Sequence, residues 1–185
     1  GVECGELVVW ENRAEPGEGT LRLAVAVLRS LADAPAPDPL VFLTGGPGRA
    51  SVRDTPRRAR SEFWQGLRRE RDLIFFDQRG TGYSEPDFCP LPVLNLAGLP
   101  PDSFRAFQRS SAGSCRTRLV EAGVDLSQYN SATSARDLDD LRRTLGHDRW
   151  NVMGISYGTR LALTAMRDEP DGIRSAILDS PVPPG

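Results

Sequence analysis

The pentapeptide Gly154-Ile155-Ser156-Tyr157-Gly158 has the pattern G-x-S-x-G and lies between a short apolar stretch, "WNVMG", and a helix-forming run, "TRLALTAM". A serine hydroxyl attacks a carbonyl well only when a base takes its proton and amide donors hold the resulting oxyanion. G-x-S-x-G serves that chemistry where a strand turns sharply into a helix. The bend lifts the hydroxyl above the carboxyl ends of the strands, and small residues two places before and after let strand and helix approach. Ser156 is therefore the candidate nucleophile, with Gly154 and Gly158 keeping the bend open. The N–H of Tyr157, at the start of the helix, is a candidate oxyanion donor. A second donor is expected from the loop after an earlier strand, and "LTGGPG" lies at such a place. Pro47 has no N–H, so Gly46 is the first choice and Gly45 the reserve.

These residues need a sheet to hold them. "GELVVW" and "TLRLAVAVLRS" alternate apolar and other residues across a turn-rich "ENRAEPGEG", which predicts two antiparallel strands. "LVFLTGG" and "DLIFFDQRG" are short, nearly continuous apolar runs that end in glycine, as in strands buried on both faces of a parallel sheet. "TPRRARSEFWQGLRRE" has the composition and length of a crossover helix, and the arginines around it read as a solvated face. A Pro-rich excursion, "EPDFCPLPVLNLAGLPPDS", precedes a helix expected around Phe104 to Ala122. In "SARDLDDLRRTLG", Ser134 and Asp137 resemble a capping box, Leu138, Leu141 and Leu145 share a face, and Gly146 supplies the stop. "RWNVMG", "SYGTRLALTAMRDEP" and "IRSAILDS" then read as strand, helix and strand. The fold class is α/β, with a mostly parallel sheet and an antiparallel N-terminal strand pair.

Composition narrows the function. With 39% apolar and 26% charged residues the chain is that of a globular domain, and a formal charge of −2 gives no general attraction to nucleic acid or anionic membrane. No stretch of about 18 apolar residues is present to span a bilayer. Three cysteines without a C-x-x-C pair and a single histidine make a metal site unexpected, and no cofactor is expected. "GGPG" is neither a P-loop nor a dinucleotide fingerprint. Cys89 and Cys115 flank the Pro-rich excursion and the following helix, where a disulfide would close a loop of about 25 residues and add about 3 kcal/mol. Cys4 is left over, either free and buried or paired with a segment outside this chain. The chain begins at Gly1 with neither an initiator methionine nor a signal-like segment, so a preceding portion is expected to have been removed.

"LTGGPG", "DQRGTGYSEP", "CRTRLVEAGVDLSQYNSATSARDLDDLRRTLGHDRWNVMGISYGTRLAL" and "LDSPVPP" together resemble the N-terminal half of α/β-hydrolases of the proline iminopeptidase and tripeptidyl aminopeptidase family. The similarity runs from "CGELVV" nearly to the end. It implies a serine hydrolase that removes residues from the amino end of short peptides, secreted or periplasmic in many bacteria, although a cytoplasmic place stays open. It also implies that the Asp77-Gln78-Arg79-Gly80 turn shapes the floor of the site. Thr44 departs from the pattern, since many relatives have histidine before the glycines; the loop backbone does the work, so a small effect is expected.

In such hydrolases the chain order is serine, acid, histidine. His147 precedes Ser156 and reads as a connector residue rather than the base. Asp179 ends the strand after the nucleophile helix and is a possible acid, though the resemblance places the acid one strand later; bracing the loop beneath the site is the role expected of it. Residues 1–185 are therefore expected to form the N-terminal portion of one incomplete α/β-hydrolase domain, ending where a cap insertion starts. A later segment or a separate chain would supply the base, and "IRSAILDS" would be left with an unpaired edge. The substrate would be a peptide or a small ester. An esterase uses the same parts, and a non-catalytic α/β module is the alternative from another class.

Overall fold

The computed structural model describes residues 1–17, 19–89 and 100–183, so the central part of the Pro-rich excursion lies outside the described residues. Six strands, β1 (Val2–Trp10), β2 (Thr20–Leu28), β3 (Leu40–Leu43), β4 (Leu73–Phe76), β5 (Trp150–Ile155) and β6 (Ile173–Asp179), form one sheet in the order β1-β2-β4-β3-β5-β6. β1 and β2 pair antiparallel, β2 joins β4 antiparallel, and the β4-β3-β5-β6 block is parallel.

The pleat sorts the apolar runs into two cores. Val41 and Leu43 of β3 and Ile74 and Phe76 of β4 face one side, with Val152 and Trp150 of β5. That side is covered by helices α4 (Ser131–Thr144) and α5 (Tyr157–Asp168) through Leu138, Leu141 and Leu161. Leu40, Phe42, Leu73 and Phe75 face the other side, against Trp64. Because both faces are covered, β3 and β4 need apolar residues at every position, which is why they read as unbroken runs.

Four expectations are corrected in detail. The crossover is two short helices, α1 (Thr55–Arg58) and α2 (Glu62–Leu67), because Ser61 takes an extended conformation between them. Its arginines are not all solvated: Arg58 is buried, its guanidinium 5.0 Å from the rings of both Phe42 and Phe75 and donating to the Ser51 carbonyl. The Ser134–Asp137 capping box does not form. Asn130 caps α4 instead, its Oδ1 accepting from the Thr133 N–H at 2.9 Å, since Asp137 is drawn inward by an arginine described below. Leu145 sits beyond the helix end and is exposed, while Gly146 stops the chain with φ 78° as expected.

The long helix α3 spans Pro101–Glu121, and Cys115 within it is bonded to Cys89. Cys4 is free but exposed on β1 rather than buried. Among the described residues no helix is long and apolar enough to cross a membrane. β6 lies at the sheet edge, with Ile177 exposed.

Candidate active site

The chain turns from β5 to α5 at a single residue. Ser156 has φ 53° and ψ −121°, a conformation that L-residues rarely adopt and that costs on the order of 1–3 kcal/mol. The turn is possible only because its flanking positions lack side chains. A Cβ on Gly154 would stand 2.5 Å from the Gly158 carbonyl oxygen, and one on Gly158 would collide with that of Leu43. Helix α5 is thus pressed against the ends of β5 and β3. The Ser156 N–H donates to the Asp179 carbonyl at 2.9 Å, and the Ser156 carbonyl accepts from the Thr159 N–H at 2.9 Å and its hydroxyl at 2.6 Å. Bound through its backbone, Ser156 leaves its half-buried hydroxyl without a capping bond to the helix. Tyr157 is the first residue of α5, so its N–H has no acceptor within the helix and lies at the positive end of the helix dipole.

The Thr44–Gly48 segment runs beside this bend. A Cβ placed on Gly45 would lie 3.1 Å from the Ser156 Cβ and 3.5 Å from its Oγ, so Gly45 itself borders the serine. Gly46 has φ 122° and packs on Gly48 and Arg49, forming the inner turn of the loop. Of the two glycines, the reserve, Gly45, is the one the structure sets against the serine.

A cavity of about 930 Å³ opens next to the bend, bordered by Pro47 and Gly48, the Gln78–Gly82 turn, Tyr129, Ser134 and Tyr157. Asp77 builds its wall. Fully buried, this carboxylate accepts from the backbone N–H groups of Ser51, Val52 and Tyr83, while the Asp77 carbonyl accepts from the Ser84 hydroxyl at 2.6 Å. Arg79, also buried, forms a two-pronged pair with Asp137 of α4 at 2.7 and 2.8 Å and donates to the carbonyls of Glu11, Trp10 and Gln128. Beneath its guanidinium lies Tyr129, whose hydroxyl donates to Glu11 at 2.6 Å; burial and that bond push the phenol above its usual range, so it stays a neutral donor. The Tyr157 hydroxyl bonds that of Ser131 at 2.9 Å.

Two titratable residues take other places. His147 precedes β5, at the opposite end of that strand from Ser156, and its backbone is bound to Arg142. Asp179 is exposed; its carboxylate accepts from the Ser180 hydroxyl at 3.0 Å, and what reaches the serine is its main-chain carbonyl. Tyr129 and Asn130 have no signal in the sequence beyond the polar cluster "SQYNSATS" ahead of an amphipathic helix, and Ser134, expected only as half of a cap, borders the cavity.

Residues 38–185 match the family described as the alpha/beta hydrolase fold. Tripeptidyl aminopeptidase of Streptomyces coelicolor is 30% identical over 195 residues, covering 99% of this chain and 36% of that protein. Serine protease Hip1 of Mycobacterium tuberculosis is 28% identical over 200 residues, covering 100% of this chain and again 36% of the relative. The chain therefore spans about a third of the length of these curated relatives. Proline iminopeptidase of Mycobacterium smegmatis shares the fold, with a TM-score of 0.53 at 21% identity over 93% of this chain and 42% of that one. By its sheet, by its strand-to-helix bend and by this match over most of its length, the chain belongs to the α/β-hydrolase fold family.

Proposed function

We propose that this chain carries the nucleophile and oxyanion portion of a serine peptidase that cleaves residues from the amino end of short peptides. The observation that carries this reading is the backbone of Ser156, held at φ 53° between β5 and α5 with the Gly45 segment beside it. Strain of that kind is retained where it aims a reactive group. In the proposed reaction the Ser156 Oγ attacks the scissile carbonyl as a histidine takes its proton. The amides of Tyr157 and of the Gly45–Gly46 loop hold the oxyanion, Gly46 being the donor first expected. The amine leaves with the histidine's proton, and water then releases the acyl group from Ser156.

The histidine must come from outside residues 1–185, because His147, the sole histidine of the chain, lies at the wrong end of β5. We assign these residues to the N-terminal portion of one hydrolase domain, completed by a later segment or a second chain. The 36% coverage of the aminopeptidase relative and the exposed edge of β6 both support that assignment. The names of the relatives favour peptides over simple esters as substrates. The Cys89–Cys115 disulfide favours a secreted or periplasmic place.

The test uses the complete protein. A fluorophosphonate is expected to modify Ser156 with stoichiometry near one, and Ser156→Ala to abolish the modification, both read by mass spectrometry of the intact protein and its peptides. Absence of labelling would leave a non-catalytic module. Kinetics on matched aminoacyl amides and esters separates the substrate classes, and ester turnover without amide turnover would make the protein an esterase.

A further inference from the structure

One wall of the cavity beside Ser156 is built by the residues that follow the Thr44–Gly48 loop, and it carries two arginines, Arg49 and Arg53. Both are exposed, and among the described residues neither guanidinium makes an ion pair or a hydrogen bond. Other exposed arginines do find carboxylates: Arg22 pairs with Glu85 at 2.8 Å and Arg167 with Asp168 at 2.6 Å. Residues 90–99 contain no acidic residue, so that part of the Pro-rich excursion brings no carboxylate either.

The backbone beneath both arginines is fixed by the site itself. A Cβ on Gly46 would lie 3.5 Å from the Arg49 Cγ, so the stem of Arg49 runs along the inner turn of the glycine loop. Arg53 lies in the short turn Val52–Asp54, whose start is held by the Asp77 carboxylate accepting from the N–H groups of Ser51 and Val52.

The other charges on the cavity do not cancel these two. Arg79 is matched by Asp137, and Asp54 stands 3.7 and 3.8 Å from Arg57 and Arg58. Asp87 remains, on a segment that Arg118 of α3 holds through the Asp87 carbonyl at 2.8 Å, and it pairs with neither Arg49 nor Arg53. Two unmatched cations against one carboxylate leave the cavity positive, and the low-dielectric walls of a cleft concentrate such a field on whatever enters it. A guanidinium presents its N–H donors in a fork that fits a carboxylate. In a peptide that group sits at the carboxyl end or on an acidic side chain.

We propose that Arg49 and Arg53 bind a carboxylate of the substrate and so make the hydrolase selective for peptides that carry one close to the scissile bond. The proposal rests on Ser156 being the nucleophile.

The experiment uses the complete protein and three matched pairs of peptides, each pair differing by one carboxylate: Glu against Gln before the scissile bond, Glu against Gln after it, and a free carboxyl end on the leaving peptide against its amide. At least one pair is expected to favour the acid by about fivefold in kcat/KM, mainly through KM, and the pair that does so identifies the source of the carboxylate. Arg49→Gln and Arg53→Gln should each lower that preference by about twofold to fivefold, and the double variant should abolish it. Added salt should weaken it in the unsubstituted protein, because exposed charges are screened. Each figure is a ratio of two substrates on one enzyme, so a general loss of folded protein does not move it. With Ser156 still labelled by a fluorophosphonate, the absence of an acid preference in all three pairs, or a preference that the double variant keeps, overturns this proposal alone. Failure of the unsubstituted protein to label overturns the nucleophile reading, and this one with it.

Discussion

At the scale of single residues, the site is a trade between reactivity and backbone comfort. Ser156 occupies a region of φ and ψ that suits glycine, and the two glycines around it admit no Cβ. If that geometry is strained, relieving it raises stability even as it removes the hydroxyl. Ser156→Gly is expected to be more stable than Ser156→Ala by about 1 kcal/mol, measured by denaturant unfolding. Equal stability, or an alanine variant that is the more stable, would show that the bend stores little. Gly45 shows the same logic in milder form, since a methyl group there would stand 3.0 Å from the Ile155 carbonyl oxygen and 3.1 Å from the Ser156 Cβ.

Among the elements, the sheet is clamped at the end remote from Ser156. Asp38, just before β3, accepts from Asn151 of β5 at 2.9 Å and pairs with Arg174 of β6 and with Arg71 before β4. Burial alone would raise its carboxyl, but the bonds from Asn151 and Arg174 and the charge of Arg71 outweigh it and hold the group below the usual carboxylate range. A depressed folded value means that this stabilisation is complete above the unfolded value of about 3.9 and is lost as pH falls through the folded one. Asp38→Asn is therefore expected to cost about 2 kcal/mol at pH 7. The gap from the unsubstituted protein should close as the pH falls below about 4; melting curves at the two pH values read it, and a gap independent of pH would deny the linkage.

The elements themselves were largely legible. Strands β3 and β4 announce themselves because burial on both faces forbids polar residues, and Gly146 marks a helix end through its positive φ. Choices decided by distant partners were not. Arg58 looks like one more surface arginine until three aromatic rings from β3, β4 and α2 surround it. Asp137 looks like half of a cap until Arg79, 58 positions away, claims it. The nucleophile bend was readable because its requirements are local. The cavity was not, since Gln78 after β4 and Ser134 of α4 come to border it only through tertiary packing.

Across the whole molecule, Arg79 is the residue through which the N-terminal hairpin, the turn after β4 and helix α4 are joined. Removing one member of a buried ion pair typically costs about 3–5 kcal/mol. Arg13 remains beside Asp137 at 2.6 Å, so Arg79→Met is expected at the low end, about 3 kcal/mol. The denaturation midpoint of the complete protein measures this. A second change, Asp137→Leu, should restore part of the loss by removing the stranded carboxylate, and no recovery would mean that the arginine acts through its other bonds.

The hydrogen bond from the Ser156 amide to the Asp179 carbonyl crosses from the reactive bend to the outermost strand of the sheet. That strand has a neighbour on one side only among the described residues, so whatever docks along its open flank also steadies the anchor of the serine. On the completion proposed above, a strand paired there would hold the attacking group in place, and reactivity toward a phosphonate would report on that pairing.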